Sequence, residues 1–373
     1  MIVLVIVLVL VVFAVYVEVI AVDSFKSICW LTLNRECNLR CAWCYARSTG
    51  FNPQSTMPIS IALDLIDIIH NIGVKRLSLI GGEPTLYKGL NQVIHRAHSY
   101  GISCGLVTNG LKLADYRFLM SLKEHGLASV GLSLKGFSSD SFEMATGSKK
   151  YRDVLISIKN LSVSNIANSV SMVLNHNNIN YFLYGVQDSM DAGAENFYFS
   201  FEFDFPEIDN KGSNDFDFEK NVFMLIDGFC RQYDELCTIT SGKFILHESF
   251  PLCIWPQDVI ATMRQRHQIH TICQVLERSG ILFDTNGDLI VCNAMYEYPI
   301  GQYKKDFSNG EELGAYLSDE KIDYIYKRLS AIPSQKCMSC DLLMSCGGGC
   351  ISNWTHFSLD ELLNRYRQRK NNL

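Results

Sequence analysis

A chain of 373 residues is too long for one small core and suits two domains or a large barrel with an appendage. Apolar residues make up 48% and charged residues 19%, so a sizeable core is expected. The net charge of −6, without a dense Lys/Arg stripe, argues against a nucleic-acid partner, and the basic run at 365–370 reads as a solvated helix end.

The chain opens with seventeen uncharged residues before Glu18, and the apolar run resumes through Val22. At about 1.5 Å per residue, a helix of this length spans one hydrocarbon core. No basic residue precedes the run and no small-x-small site closes it, which fits a secretory signal poorly. The first basic residues, Lys26 and Arg35, follow it, so an anchor made of residues 1–22 would leave the remaining chain cytoplasmic. A membrane anchor, a buried strand or helix, and an upstream mis-start all fit the segment.

From residue 28 onward, short apolar runs alternate with amphipathic ones. Strands are predicted at 29–33, 76–80, 103–107, 129–134, 169–174 and 196–203, with helices at 59–71, 89–99, 115–125, 151–161 and 180–191. Six β units with helical crossovers predict an α/β fold, a partial (β/α)6 TIM-like barrel, with an open doubly wound sheet as the competing topology. The polar and Gly-rich residues fall after the strands, where barrel enzymes assemble their active sites. On the fourth strand, Ser129, Gly131, Ser133 and Lys135 share one face and predict a small polar lumen. On the sixth, Ser200, Glu202 and Asp204 oppose a row of phenylalanines, as a lumen lining or as a solvent-facing stripe. Residues 204–216 read as an acidic loop, and 217–236 as a helix. The domain boundaries expected are 1–23, 24–205, 206–249 (linker and helix), 250–352 (cysteine-dense) and 353–373 (tail).

Fourteen cysteines include three within 37–44 and four within 337–350. Such tight units in a long chain read as metal sites in a reducing, cytosolic environment. Cys37, Cys41 and Cys44 form C-x3-C-x2-C with no fourth ligand close by in sequence. Thiolates select zinc, copper(I) or iron–sulfur clusters. Structural zinc and ordinary clusters both take four ligands. Three thiolates therefore leave one metal position open.

C-x3-C-x2-C with Trp43 before the third cysteine, then Gly81-Gly82-Glu83-Pro84 after the next strand, resembles the radical S-adenosylmethionine superfamily. The resemblance covers about 28–205. It implies that Cys37, Cys41 and Cys44 hold three irons of a 4Fe-4S cluster, whose fourth iron chelates S-adenosylmethionine. Gly81 and Gly82 would let the backbone approach that ligand. Glu83, held extended before Pro84, would offer backbone groups to its amine. Trp43 would pack near the adenine. Ser133 and Lys135 would suit the methionyl carboxylate and ribose, and Asn109 and Asn175 could serve the same ligand. Core packing for Trp43, and turn or surface roles for the other four, compete.

The C-terminal spacing is Cys273, thirteen residues, Gly287, four residues and Cys292, then Cys337-x2-Cys340-x5-Cys346-x3-Cys350. It resembles the SPASM auxiliary-cluster domain, with a treble-clef zinc module as competitor, and makes 250–352 a small cysteine-rich iron–sulfur domain. The resemblance assigns Cys273, Cys292 and Cys350 to one auxiliary cluster and Cys337, Cys340 and Cys346 to a second. The family pattern continues to a further cysteine, and none follows Cys350. The second cluster is then three-thiolate, completed by His356 or Asp360, or absent. Cys253 reads as a buried structural thiol or as a ligand of the first cluster, while Cys29, Cys104, Cys230 and Cys237 read as core.

The resemblance implies an oxidoreductase or maturase that generates a 5′-deoxyadenosyl radical and abstracts hydrogen from a peptide or protein. It also implies an external flavodoxin- or ferredoxin-type electron donor. Without a leader-binding module ahead of the barrel, a separate leader-binding protein is expected. Glu202 or Asp204 would deprotonate a substrate radical. Sulfatase-type maturation, dehydrogenation or epimerisation of a small molecule, a membrane-anchored iron–sulfur electron carrier and a zinc-ribbon module are the other readings.

Overall fold

The computed structural model describes residues 25–202, 217–247, 250–271, 273–330, 333–355 and 357–371. The hydrophobic segment 1–22, the acidic loop 204–216 with Asp204, and His356 lie outside these residues. Among the described residues no helix is long and apolar enough to cross a membrane.

Six parallel strands follow one another in chain order: β1 (Ile28–Thr32), β2 (Arg76–Ile80), β3 (Ser103–Thr108), β4 (Leu127–Leu134), β5 (Ala167–Leu174) and β6 (Phe197–Phe201). Their crossovers carry α1 (Ile59–Asn71), α2 (Leu90–Ser99), α3 (Tyr116–Glu124), α4 (Ser139–Thr146), α5 (Tyr151–Ser164) and α6 (Phe182–Asp191). In α1 the residues Ala62, Leu65, Ile66, Ile68 and Ile69 recur at helical spacing and are buried. Asp115 caps α3 by accepting the N–H groups of Arg117 and Phe118. The periodicity pointed to five of these helices. It missed α4, a polar two-turn helix whose start is marked by a Ser138/Ser141 capping box rather than by an apolar stripe.

Strand alternation sorts the residues as period two requires. On β4, Val130, Leu132 and Leu134 are buried against helices, while Ser129, Gly131 and Ser133 are half-buried on the inner face. On β6, Phe197, Phe199 and Phe201 are buried, and Tyr198 and Ser200 face the other way. Those phenylalanines pack with Phe229, Phe244 and Trp255 into one aromatic core.

The barrel stays open, and the C-terminal half extends the sheet at both ends. Beyond β6, past α7 (Met224–Thr240), come parallel β7 (Phe244–His247) and β8 (Ile269–His270), joined through α8 (Gln257–Gln265). On the other side, β9 (Gly280–Phe283) pairs parallel with β1, and β10 (Asp288–Ile290) and β11 (Gly301–Gln302) continue antiparallel. The order β11-β10-β9-β1-β2-β3-β4-β5-β6-β7-β8 places residues from 250 onward on both edges of the sheet.

Candidate active site and cysteine sets

After β1 the chain runs through Leu33, Asn34 and Arg35, all at most 2% exposed, into the loop of Cys37, Cys41 and Cys44. The Gly81–Pro84 segment lies along this stretch. Gly82 N–H donates to Asn34 O (2.8 Å), Glu83 N–H to Glu36 O (2.7 Å), and Asn34 Nδ2 to Glu83 O (3.0 Å). A Cβ at Gly81 would stand 2.5 Å from Asn34 O, and one at Gly82 would stand 2.4 Å from both Arg35 O and Glu36 O. The close approach that these glycines permit is to the cysteine loop itself. Glu83 is extended, as Pro84 requires. Its N–H is spent on Glu36, and its carbonyl, already accepting from Asn34, has one further lone pair to offer.

The Glu83 carboxylate is fully buried and accepts four hydrogen bonds. Oε1 takes them from Thr85 N (3.0 Å), Thr85 Oγ1 (2.6 Å) and Thr108 Oγ1 (2.6 Å), and Oε2 from Asn109 N (2.8 Å). It joins the loop after β2 to the end of β3. From there Asn109 Nδ2 donates to Asn38 Oδ1 (2.7 Å), one residue after Cys37. The cysteine loop is also tied to α4, through Arg40 N–H to Thr146 O and Ala42 N–H to Ala145 O.

Burial pushes the Cys37 thiol up to about 11; the Leu39 N–H, donated to its sulfur at 3.4 Å, opposes the rise, and Glu83 and the other two thiols add to it. Burial also raises Cys41, with Lys135, at the end of β4, pulling the other way. Lys135 therefore faces the cysteine loop across the barrel mouth. Two buried donors there have no protein partner, Trp43 Nε1 and Arg35 Nη1.

The other predicted residues are more dispersed. Ser133 Oγ lies 2.9 Å from Ser171 Oγ on the next strand. Asn175 is buried in a turn, with Oδ1 accepting from Asn177 N–H (3.0 Å). Glu202 follows β6 and donates its N–H to Leu174 O (2.8 Å). Beside it, Ser200, His247 and His270 share one register across β6, β7 and β8, and the two imidazoles meet edge to face at 5.0 Å. Burial, then His270, holds His247 below the usual histidine value. The sequence reading missed this pair, because β7 and β8 carry too few residues for a periodic signal.

The C-terminal thiols form two groups. Burial pushes Cys292 up to about 12, with Cys350 and Cys273 adding to the rise, and Cys273 is raised by burial and then by Cys350. Cys273, Cys292 and Cys350 therefore share one neighbourhood. In the other, Cys337 is raised by burial and by Cys346 and Cys340. Between the groups run Gly347, Gly348 and Gly349, all in the left-handed region with φ of 57°, 85° and 87°. Only glycine adopts three such conformations in succession without strain, so the chain can turn from Cys346 in one group to Cys350 in the other.

Cys253 corrects the sequence reading. It is exposed rather than buried, and it lies with Cys346, Cys337 and Cys340 rather than with the first group. Asp360, the other ligand candidate, is paired with Lys336 (2.5 Å) and accepts from Ser334 (3.3 Å). Among the described residues no three His, Cys, Asp or Glu side chains are close enough to hold a single metal ion. One zinc ion would draw thiolates to within about 2.3 Å of a single point. A cubane instead takes each thiolate at its own iron corner and suits wider sets.

Residues 31–183 match the Radical SAM superfamily model. The matched stretch runs from β1 into α6 and holds both the cysteine loop and the Gly81–Pro84 segment, and members of that superfamily are enzymes that use a 4Fe-4S cluster and S-adenosylmethionine. A probable GTP 3′,8-cyclase of Pyrococcus abyssi is 34% identical over 117 residues, 31% of this chain and 37% of that protein. The sporulation killing factor maturation protein SkfB of Bacillus subtilis is 29% identical over 175 residues, 47% of this chain and 42% of that protein. The chain thus spans less than half the length of these relatives. In fold it is similar to Streptococcus suis SuiB bound to its precursor peptide SuiA, with TM-score 0.68, 17% identity, and coverage of 91% of this chain and 75% of SuiB. It is also similar to anSMEcpe with bound AdoMet and the Kp18Cys peptide, with TM-score 0.64, 15% identity, and coverage of 92% and 99%. Both likenesses extend beyond the barrel into the cysteine-dense C-terminal region.

Proposed function

We propose that this chain cleaves S-adenosylmethionine reductively and uses the resulting radical to take hydrogen from a peptide or protein. The observation that carries the proposal is the three-thiol loop at the C-terminal end of β1, docked by backbone hydrogen bonds on Gly82 and Glu83. Cys37, Cys41 and Cys44 would hold the cluster, leaving one iron for the amine and carboxylate of S-adenosylmethionine. When bound, the cluster supplies the electron that splits the sulfonium and releases a 5′-deoxyadenosyl radical.

The chain's own residues bind and orient. Gly81, Gly82 and Pro84 fix the loop after β2 on which the Glu83 carbonyl, accepting from Asn34, keeps a second lone pair suited to an ammonium. Lys135 adds a positive charge suited to a carboxylate. Trp43 offers an indole N–H and an aromatic face, and Ser133, Asn109 and Asn175 line or brace the same end. Glu202 and Asp204 remain candidates to accept a substrate proton. Cys273, Cys292 and Cys350, and then Cys337, Cys340 and Cys346, would hold auxiliary clusters that carry electrons to or from the site.

A peptide substrate is supported by the relative SkfB, named as a maturation protein, and by peptide-bound SuiB and anSMEcpe. An external electron donor and a separate leader-binding protein belong to this reading, as does tethering by residues 1–22. The stretch shared with GTP 3′,8-cyclases favours a second reading, a small-molecule substrate.

Reduced, reconstituted protein incubated with S-adenosylmethionine should yield 5′-deoxyadenosine, measured by chromatography. Replacement of Cys37, Cys41 and Cys44 by Ala should bring the yield to background. An electron carrier would give none in either form, and a zinc module would contain no sulfide.

A further inference from the structure

We infer that Cys253 is the fourth ligand of the second auxiliary cluster, joining Cys337, Cys340 and Cys346. This rests on the reading that the C-terminal cysteines hold clusters, and it supplies the ligand that the 337–350 run lacks.

Three observations converge. First, the turn carrying Cys253 sits on Cys346, where Leu252 N–H donates to Cys346 Sγ at 3.4 Å. The turn also connects 250–256 to the last cysteine run, and Thr271 Oγ1 donates to Ser345 O beside it. Second, the turn Leu252–Ile254 is anchored on both sides of the cysteine. Leu252, Ile254 and Trp255 are at most 1% exposed, whereas Cys253 between them is exposed. Packing of its neighbours on both sides therefore fixes the position of an exposed thiol. Third, the run that Leu252 rests on is folded tightly, with Cys340 N–H donating to Cys337 O, Leu343 N–H to Cys340 O and Cys346 N–H to Leu342 O, so Cys337 and Cys340 are gathered on the same turns as Cys346.

The competing ligand is already engaged, since Asp360 is paired with Lys336 and Ser334. The unassigned cysteines lie on other elements, Cys230 on α7 among them. Cys29 and Cys104 are buried in β1 and β3, and Cys237 receives Arg266 and Gln268. Ligation displaces a proton from each thiol as the Fe–S bond forms, with no change in sulfur oxidation state. The cluster would join the segment between β7 and α8 to the run at 337–346, tying the last cysteines to the edge of the barrel sheet.

The test is anaerobic reconstitution of the full chain, with iron and sulfide counted in wild type, Cys253→Ala and Cys340→Ala. Wild type should hold about twelve irons, as three four-iron clusters. Both variants should lose the same one to four irons, with the electron paramagnetic resonance of the other clusters unchanged. Cys253→Ala removes an exposed side chain and leaves the packing of Leu252 and Trp255 intact. Alkylation mapped by mass spectrometry provides a check that needs no variant. Cys253 should be protected in reconstituted wild type together with Cys337, Cys340 and Cys346, and become reactive after chelation. If Cys340→Ala loses iron but Cys253→Ala does not, or if Cys253 alkylates equally in both states, the inference is overturned and the cluster reading stands. Loss of iron on Asp360→Asn, with none on Cys253→Ala, overturns it in favour of the carboxylate. If neither Cys340→Ala nor Cys253→Ala loses iron, the second auxiliary cluster itself is wrong.

Discussion

Cys37, Cys41 and Cys44 lie within eight residues of chain, whereas the C-terminal thiols are gathered from 253 to 350. The first loop is held from below. Asn34 and Glu36 take backbone hydrogen bonds from the segment after β2, and a buried carboxylate braces that segment against β3. The second region is built differently. Its thiols sit on short turns, joined by three consecutive left-handed glycines and by contacts to distant elements. A loop framed by strands can be specified locally. A set drawn from separated turns depends on the tertiary fold, and on whatever the thiols bind. Removing iron should therefore disturb the C-terminal turns more than the barrel loop.

Glu83 is where this contrast breaks most sharply. In the replacement Glu83→Ala, two backbone N–H groups and two hydroxyls lose their acceptor in a fully buried site. Each unsatisfied donor costs about 1–3 kcal/mol, so a total loss above roughly 4 kcal/mol is expected. Thermal melting should show it with or without S-adenosylmethionine. If stability held and only the affinity for S-adenosylmethionine fell, the carboxylate would belong to the cofactor rather than to the frame.

The same contrast explains what could be read in advance. GGEP was legible because two glycines before a Glu-Pro form a compact signal, yet their partner, the cysteine-loop backbone, is a tertiary fact. The role of Glu83 was hidden for the same reason, since Thr108 and Asn109 lie on another strand. Six strands announced themselves as short apolar runs between amphipathic stretches, two of them with a clear period of two. Those from β7 onward, as short as Ile269–His270, did not, nor did their placement on both sheet edges. Cys253 read as a structural thiol or as a ligand of the first cluster because 83 residues lie between it and Cys337. Spacing patterns find ligands that share a turn and miss ligands that share only a neighbourhood.

Arg35 tests the join between the two regions. It precedes the first cysteine set and donates to Asp284, in the turn between β9 and β10, at 2.7 Å. Its side chain is 2% exposed, and Tyr45 and Tyr296 lie 5.6 and 5.0 Å from its guanidinium. Breaking a buried pair by removing one partner costs about 3–5 kcal/mol, because the other charge is left uncompensated. Arg35→Met should fall near the lower end, since Asp284 also accepts from Thr285 N–H. The double variant Arg35→Met/Asp284→Leu should recover part of the loss. No recovery in a double-mutant cycle would show that the tyrosine contacts, not the ion pair, make the join.

Gly348→Ala should give the smallest effect, and the most local one. The added methyl would meet Pro333 at 2.6 and 2.8 Å, and the backbone there has φ of 85°. Left-handed backbone costs an L-residue about 1–2 kcal/mol, and the proline ring cannot swing aside as a flexible side-chain end would. The turn should shift, and Cys346 and Cys350, on either side of it, should lose register with their sets. Iron counts should then drop in the auxiliary region while the yield of 5′-deoxyadenosine from the barrel cluster persists. Equal loss of both would mean that the two regions fold as one cooperative unit, and that the barrel loop depends on the C-terminal turns despite its own frame.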